Sequence, residues 1–249
     1  MIILKSLQEI EKIRKAGLVV AQTLDAVRSM IRPGISTQAL DEFAEKFIRQ
    51  AGATPAFKGY RGYPKTLCTS VNTEVIHGIP SKDIVLKQGD ILSVDVGAII
   101  DGFYGDAAIT VPVGTISPEA ERLIKVTEES LYRGIAQATA ANRLYDISEA
   151  VQAHVESHGY SVVREYVGHG IGRSLHEDPQ IPNFGVQGQG PRLKAGMVLA
   201  IEPMVNAGSG ATIVKEDKWT AVTADGSLSA HFEHTVAIMP DGPWILTKQ

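Results

Sequence analysis

The sequence predicts an α+β protein built from two similar halves, and three observations lead to this prediction. Residues 86–96 (LKQGDILSVDV) and 193–203 (LKAGMVLAIEP) share one pattern that ends in a carboxylate. Both segments have the length and β-branched content of buried strands. Each half also reads as two helices followed by strand-like runs. We place the halves at about residues 1–112 and 113–249 of a single domain, because no linker-like stretch divides the chain.

Two helices are predicted in the first half. Ser6 begins a capping-box pattern (SLQE) followed by apolar residues at helical spacing, and this helix should end before Pro33. A second helix should begin at Ser36 or Thr37, with Gly52 as its C-cap.

Two more helices are predicted in the second half. Ser117, followed by a proline, has the pattern of an N-cap, and its helix should extend to Ala140. Asp146 or Ser148 should cap another helix that ends before Gly159.

Carboxylates occupy strand positions where apolar residues are expected. Asp95 and Glu202 end the two similar patterns, and an ionised carboxylate there needs a cation or several hydrogen bonds. A turn at residues 101–102 would bring Asp106 on a returning strand beside Asp95. Glu233 lies in another strand-like run at residues 229–238. The acids of both halves are therefore expected to meet at one centre.

Histidines beside glycines provide further candidate ligands. His169 and His176 lie in YVGHGIGRSLHE, and His77 lies in VIHGIP. A lone histidine or strand-end carboxylate is usually structural, but four strand carboxylates with these histidines predict a shared metal site. His154 and His158 lie on the last predicted helix, where we expect a surface residue and a helix cap rather than ligands.

Composition limits the partners and the compartment. A net charge of −4 and a pI near 6.0 give no support for binding to nucleic acid or anionic membranes. A single cysteine, Cys68, fits a reducing compartment. The N-terminus does not read as a signal peptide, and no apolar run approaches the roughly 20 residues that span a membrane. We expect a cytoplasmic protein.

The site motifs resemble those of one enzyme family. SVDVGA, YGDAA, GHGIG, IEPM and HFEHT are similar to the metal-ligand motifs of the type I methionine aminopeptidases, and the similarity extends over about residues 7–245. The resemblance implies the pita-bread fold, a curved antiparallel sheet whose two pseudo-symmetric halves are flanked by helix pairs. It also implies five metal ligands: Asp95, Asp106, His169, Glu202 and Glu233.

The resemblance further implies the chemistry. Two divalent ions, which could be Co, Mn, Fe(II), Zn or Ni, would activate water for hydrolysis of the first peptide bond after methionine, preferentially when the next residue is small. Asp106 and Glu233 would bridge the ions, and Glu202 would be both ligand and base. His176 would stabilise the oxyanion, and His77 would contact the scissile nitrogen.

The same resemblance implies a methionine pocket. Tyr60, Tyr63, Cys68 and Trp219 match positions that line it, and an aromatic and sulfur-bearing wall suits a thioether. Phe57 and Leu175 depart from the residues common in bacterial relatives, which have Cys and Phe there. Both residues keep the pocket apolar, but the sequence does not determine the width of the pocket.

Related functions would require features that differ from those of this sequence. A prolidase or aminopeptidase P of the same fold would carry an additional N-terminal domain, and a type II enzyme would carry an insertion between Glu202 and Glu233. A catalytically silent relative that binds partners or RNA would lack a ligand, and all five are present. We expect a monomer that acts on N-terminal methionine peptides and nascent chains. The sequence does not decide whether it contacts the ribosome.

Overall fold

The computed structural model describes residues 1–249 and contains four α-helices. They are α1 Leu7–Met30, α2 Thr37–Gln50, α3 Pro118–Gln137 and α4 Leu144–Ser157. The Ser6 side chain accepts a hydrogen bond from the Glu9 N–H, as the capping-box pattern predicts. Ser36 and Ser117 cap α2 and α3 in the same way. The C-cap of α2 is Ala51, one residue before the predicted glycine.

The predicted boundaries of α3 and α4 were partly wrong. Helix α3 ends at Gln137, three residues before Ala140. Helix α4 begins at Leu144 with Arg143 as N-cap, so neither Asp146 nor Ser148 caps it. Asp146 instead lies in the first turn, where its carboxylate accepts hydrogen bonds from the Arg143 and Gly188 N–H groups. A carboxylate in a first turn satisfies free N–H groups much as an N-cap does, so the two positions look alike in sequence.

The strands form one large sheet and two small ones, and every pair is antiparallel. In chain order they are β1 Thr54–Pro55, β2 Leu67–Val71, β3 Glu74–Ile76, β4 Ile91–Ile100, β5 Phe103–Pro112, β6 Ser161–Val162, β7 Val167–Gly170, β8 Glu177–Pro182, β9 Val198–Ile201, β10 Met204–Asn206, β11 Thr212–Val214, β12 Ala221–Thr223, β13 Ser229–His231, β14 Glu233–Met239 and β15 Gly242–Ile245. The large sheet has the order β1-β4-β5-β14-β9-β7-β8, with β2 also paired to β4 and β15 to β14.

The large sheet joins the two halves of the chain. Strands β4 and β5 form the predicted hairpin, whose turn residues Asp101 and Gly102 both have positive φ. Strand β14, near the C-terminus, lies between β5 of the first half and β9 of the second. Residues that are far apart in sequence therefore meet near the middle of this sheet.

Helix α1 packs closely on β5 because glycines meet at the crossing. A Cβ on Gly105 would lie 2.6 Å from the Gly17 backbone nitrogen, and a Cβ on Gly17 would lie 2.5 Å from the Leu246 carbonyl oxygen. Any larger residue at either position would push the helix off the sheet.

Each half of the chain has its own apolar core. The largest cluster packs α1 and α2 on β2, β4 and β5, and the next packs α3 and α4 on β8, β9 and β14. The α+β pita-bread prediction, a curled antiparallel sheet flanked by helix pairs, is confirmed. None of the four helices is both long and apolar enough to cross a membrane.

Candidate active site

The sheet register places the five predicted ligands on neighbouring strands. Asp95 on β4 and Glu233 on β14 both pair with Ala108 of β5, and Asp106 lies two residues before Ala108. Side chains two residues apart on a strand point to the same face, so these three carboxylates share one face. Glu202 directly follows β9, whose Ile201 pairs with the residue after Glu233.

The fifth ligand lies one strand further along. His169 on β7 pairs with Ala200, which shares its face with Glu202. The residues opposite the ligands are small, since Ala108 and Ala200 are both alanines. A Cβ on Gly168 would lie 2.4 Å from the Ala200 carbonyl oxygen and 3.3 Å from the Glu202 side chain. Small residues thus leave room for the ligand side chains and for what they bind.

His169 presents an unprotonated nitrogen to the carboxylates. Its Nδ1 lies 2.9 Å from the Gly170 carbonyl oxygen, which can only accept, so Nδ1 carries the proton. Its Nε2 lies 3.4 Å from Glu202 Oε1 and 3.9 Å from Asp106 Oδ2. A backbone hydrogen bond that fixes the tautomer in this way is typical of metal-binding histidines.

The four carboxylates are buried close together, which disfavours their ionised forms in the absence of a cation. Burial raises the pKa of Asp95, Asp106, Glu202 and Glu233, and the neighbouring carboxylates raise the pKa of the last three further. One oxygen each of Asp95, Asp106 and Glu233 is buried without a hydrogen bond. Ligand atoms of Asp106, His169 and Glu233 lie within 4.8 Å of one another. Buried acids with unpaired oxygens beside a neutral imidazole fit bound divalent cations.

A further histidine, His231, lies behind Glu202. Its Nε2 is buried without a hydrogen bond and lies 3.8 Å from Glu202 Oε2. Burial lowers the pKa of His231 to about 3, so it is neutral and adds no positive charge to the carboxylates. The sequence offers one signal for it, because it lies two positions before Glu233 on a strand-like run, where both side chains would share one face.

All thirteen predicted site residues line one cavity of about 180 Å³. They are Phe57, Tyr60, Tyr63, Cys68, His77, Asp95, Asp106, His169, Leu175, His176, Glu202, Trp219 and Glu233. Arg61 also lines the cavity and was missed. It lies between two predicted pocket residues in YRGYPK, but its positive φ, 49°, places it in a conformation that the sequence does not reveal.

Aromatic rings form one wall of the cavity. Tyr63 is held by its hydroxyl, which hydrogen-bonds the Leu67 and Gly78 carbonyl oxygens, and its ring meets Trp219 edge to face at 5.1 Å. His77 lies 6.3 Å from Trp219 between ring centroids. Because these hydrogen bonds hold the hydroxyl at one end of the side chain, the ring is free to offer an apolar surface.

Phe57 and Cys68 provide other apolar contacts in the cavity. A Cβ on Gly97 would lie 2.8 Å from the Phe57 ring, so this glycine lets the ring approach β4. Cys68 pairs with Asp95 across β2 and β4. Burial raises the pKa of the Cys68 thiol, which therefore stays neutral and packs as a small apolar group.

The two histidines that were predicted to face the substrate are neutral as well. Burial lowers the pKa of His77 to about 4 and also lowers the pKa of His176. The His176 Nδ1 lies 2.8 Å from the Tyr60 hydroxyl, and the His176 ring centroid lies 4.3 Å from that of His169. Tyr60 can donate to Nδ1, which leaves the N–H on Nε2 available as a donor.

Metal binding should stabilise the protein more at pH 8 than at pH 6.5. The carboxylates with raised pKa stabilise the metal-free fold at low pH and lose that contribution as pH rises through their folded values. The buried histidines with lowered pKa act oppositely, but only below their unfolded value of about 6.5. Above pH 6.5 the carboxylates therefore dominate, and a bound cation cancels their repulsion.

Thermal unfolding with and without a chelator checks this expectation. One pKa unit corresponds to about 1.4 kcal/mol, which changes Tm by about 2–4 °C for a chain of this size. The increase in Tm on adding metal should grow by at least that amount between the two pH values. An increase that stayed constant or shrank would contradict the description of the carboxylate cluster.

Comparison with known proteins agrees with the geometry. The family model of metallopeptidase family M24 matches residues 11–240. A methionine aminopeptidase of Clostridium perfringens is 58% identical over 247 residues, covering 99% of each chain. The crystal structure of a Thermotoga maritima methionine aminopeptidase covers 100% of both chains with a TM-score of 0.99 and 51% identity.

Proline-directed peptidases share only the architecture. A prolidase from Pyrococcus furiosus has a TM-score of 0.77 at 24% identity, and the match covers 99% of this chain but 66% of that one. Similarity at this level shows the fold alone. The extent and identity of the other matches show that the chain belongs to metallopeptidase family M24 and, within it, to the methionine aminopeptidases.

Proposed function

We propose that the chain releases N-terminal methionine from peptides and nascent proteins by means of two divalent metal ions. The ions would be held by Asp95, Asp106, His169, Glu202 and Glu233. The observation that supports this most is the shared face of these residues on adjacent strands, with carboxylate oxygens that are buried and unpaired. Methionine aminopeptidase activity itself follows from the family to which the chain belongs.

The charge of the ligand set supports two ions. Four carboxylates supply four negative charges when ionised, which two divalent cations balance. One imidazole in an oxygen-rich set is compatible with Co, Mn, Fe(II), Zn or Ni. We propose Asp106 and Glu233 as the shared ligands, Asp95 for one ion, and His169 with Glu202 for the other. Bound ions would supply a water that is acidic near neutral pH and would polarise the scissile carbonyl.

The chain's own groups would complete hydrolysis. We assign Glu202 the role of accepting the proton from the attacking water, as the family resemblance implies. His176 would donate its Nε2–H to the developing oxyanion, with the Tyr60 hydroxyl donating to Nδ1 through the 2.8 Å contact. His77 would contact the scissile nitrogen.

The apolar part of the cavity would bind the methionine side chain. Phe57, Tyr63, Cys68, Leu175 and Trp219 are all cavity residues, and their apolar surfaces suit a flexible thioether. We infer that the free amine binds at the metal centre, since the cavity contains no carboxylate outside the ligand set. Such a site explains an exopeptidase without a dedicated acidic residue.

Peptide turnover tests this function. Met-Ala-Ser should release free methionine, whereas Met-Leu-Ser should be cleaved at least about tenfold more slowly, as the loss of about 1.4 kcal/mol of transition-state binding would require. The reason is that His77 and His176 closely border the scissile bond in a cavity of about 180 Å³. Chromatographic detection of methionine, with metal content determined on the same sample, provides the measurement.

The control peptide is Leu-Ala-Ser, which keeps the small second residue and changes only the first. Equal release from Met-Leu-Ser and Met-Ala-Ser would contradict the size rule. Preferential cleavage of X-Pro peptides without methionine would favour the prolidase-like alternative.

The setting of the reaction is also a proposal. We propose a monomeric, single-domain enzyme in the cytoplasm that acts on nascent chains. The continuous sheet across both halves supports the single domain, and the buried Cys68 thiol is compatible with a reducing compartment.

A further inference from the structure

A second group of potential metal ligands lies between α3 and α4. It consists of Glu129 on α3, His154 on α4 and His158, the C-cap residue of α4, and we name it the α3–α4 cluster. The two histidines are four residues apart, so they lie one above the other on one helix face. Their ring centroids are 4.5 Å apart, and one ligand atom from each of the three residues lies within 4.8 Å of the others.

The spacing of two of these residues is compatible with a bound ion. His154 Nε2 is buried and lies 3.2 Å from Glu129 Oε2, a separation that suits either a direct contact or a shared ion. Two ligands of a tetrahedral ion with bonds of about 2.0–2.1 Å lie roughly 3.3 Å apart. The pair therefore already has the separation that a shared ion requires.

The third ligand has its tautomer set by the backbone. The His158 Nδ1 lies 2.7 Å from the His154 carbonyl oxygen, which only accepts, so Nδ1 must donate. In a neutral ring, the Nε2 of His158 then carries a free lone pair. His169 in the candidate active site is fixed in the same way by a carbonyl.

The lysine beside Glu129 would not compete strongly with a bound ion. The Lys125 Nζ lies 3.9 Å from Glu129 Oε1, and both side chains are exposed. A weak surface contact of that kind contributes little.

We propose that the α3–α4 cluster binds one borderline divalent ion such as Zn²⁺, with water completing the coordination. Two imidazoles and one carboxylate form a ligand set that suits Zn, Ni and Cu. None of the three residues lines the active-site cavity, so this ion is separate from the catalytic pair. Bound metal would link α3 to α4, which pack against each other, and so would stabilise the second half of the chain.

Equilibrium dialysis of the full chain against Zn²⁺, followed by elemental analysis, tests the proposal. Wild type should bind one more zinc per chain than the double variant His154→Ala, His158→Ala. Glu129→Gln should lower the zinc affinity of this additional site at least about tenfold. This is the lower end of the loss seen when the groups around a bound metal are altered. Glu121→Gln, an exposed residue on the same helix, is the matched control and should bind as wild type.

Activity and stability readouts complete the test. Methionine release from Met-Ala-Ser should be unchanged in all variants, because the active-site ligands are intact. Zinc should raise the Tm of wild type and Glu121→Gln more than that of Glu129→Gln. Because Glu129→Gln keeps both histidines, it still tests the site if the double variant folds poorly. Equal zinc content in wild type, Glu129→Gln and the double variant would overturn the proposal, as would a wild type with no zinc beyond the active site.

Discussion

Asp106→Asn and Glu233→Gln should each deplete the metal centre and abolish methionine release while leaving the chain folded. Each substitution keeps the shape of the side chain and removes one buried negative charge. Breaking a buried charge pair costs about 3–5 kcal/mol, and each 1.4 kcal/mol is tenfold in affinity. Metal affinity should therefore fall by about two to four orders of magnitude. Elemental analysis after dialysis, with peptide turnover on the same sample, measures both effects.

The metal-free variants distinguish lost binding from misfolding. Neighbouring carboxylates raise the pKa of Asp106, so an amide there relieves repulsion in the absence of metal. Chelated Asp106→Asn should unfold at a temperature no lower than chelated wild type. Asp101→Asn, at the exposed turn of the same hairpin, is the matched control and should keep metal and activity. A variant with full metal content and normal turnover would remove Asp106 or Glu233 from the ligand set.

Local sequence signals were sufficient for the hairpin that carries Asp95 and Asp106. A two-residue Asp-Gly turn sets the register of β4 and β5, and the register places both carboxylates on one face. The Ser6 capping box predicted the start of α1 for the same local reason. The local structure can therefore be predicted from the sequence where one short motif determines the geometry.

Long-range pairing could not be predicted in that way. The position of β14 between β5 and β9 brings Glu233 to Asp106, although more than 120 residues separate them. The two similar halves predicted that their acids meet at one centre, but no local motif predicts the strand order that brings them together. Arg61 was missed because its place in the cavity depends on a left-handed backbone conformation. Similarly, Asp146 was placed at the wrong helix position because its partners include Gly188, in a distant loop.

His176→Ala should keep the metal and lose about 10²–10³ in kcat, the range for removal of one oxyanion donor, or roughly 2.7–4 kcal/mol. His176 lines the cavity beside His169, but its Nδ1 is hydrogen-bonded to Tyr60 rather than to a carboxylate. These contacts support the proposal that His176 faces the substrate. His77→Ala should show a smaller loss if water replaces its proton contact.

Metal analysis after dialysis, paired with steady-state kinetics on Met-Ala-Ser at saturating substrate, separates the possible roles of His176. Loss of the metal in His176→Ala would make this residue a ligand and would require reassignment of His169. An unchanged kcat would show that the oxyanion role is wrong. His158→Ala, a partly exposed histidine outside the cavity, is the control for kcat alone and should retain the wild-type value, because His158 belongs to the α3–α4 cluster and its loss would change total metal content. The oxyanion role therefore requires that His176→Ala keep full metal occupancy and lose kcat. Substitution of a metal ligand would reduce metal occupancy, and substitution of a residue with no role in the reaction would leave kcat unchanged.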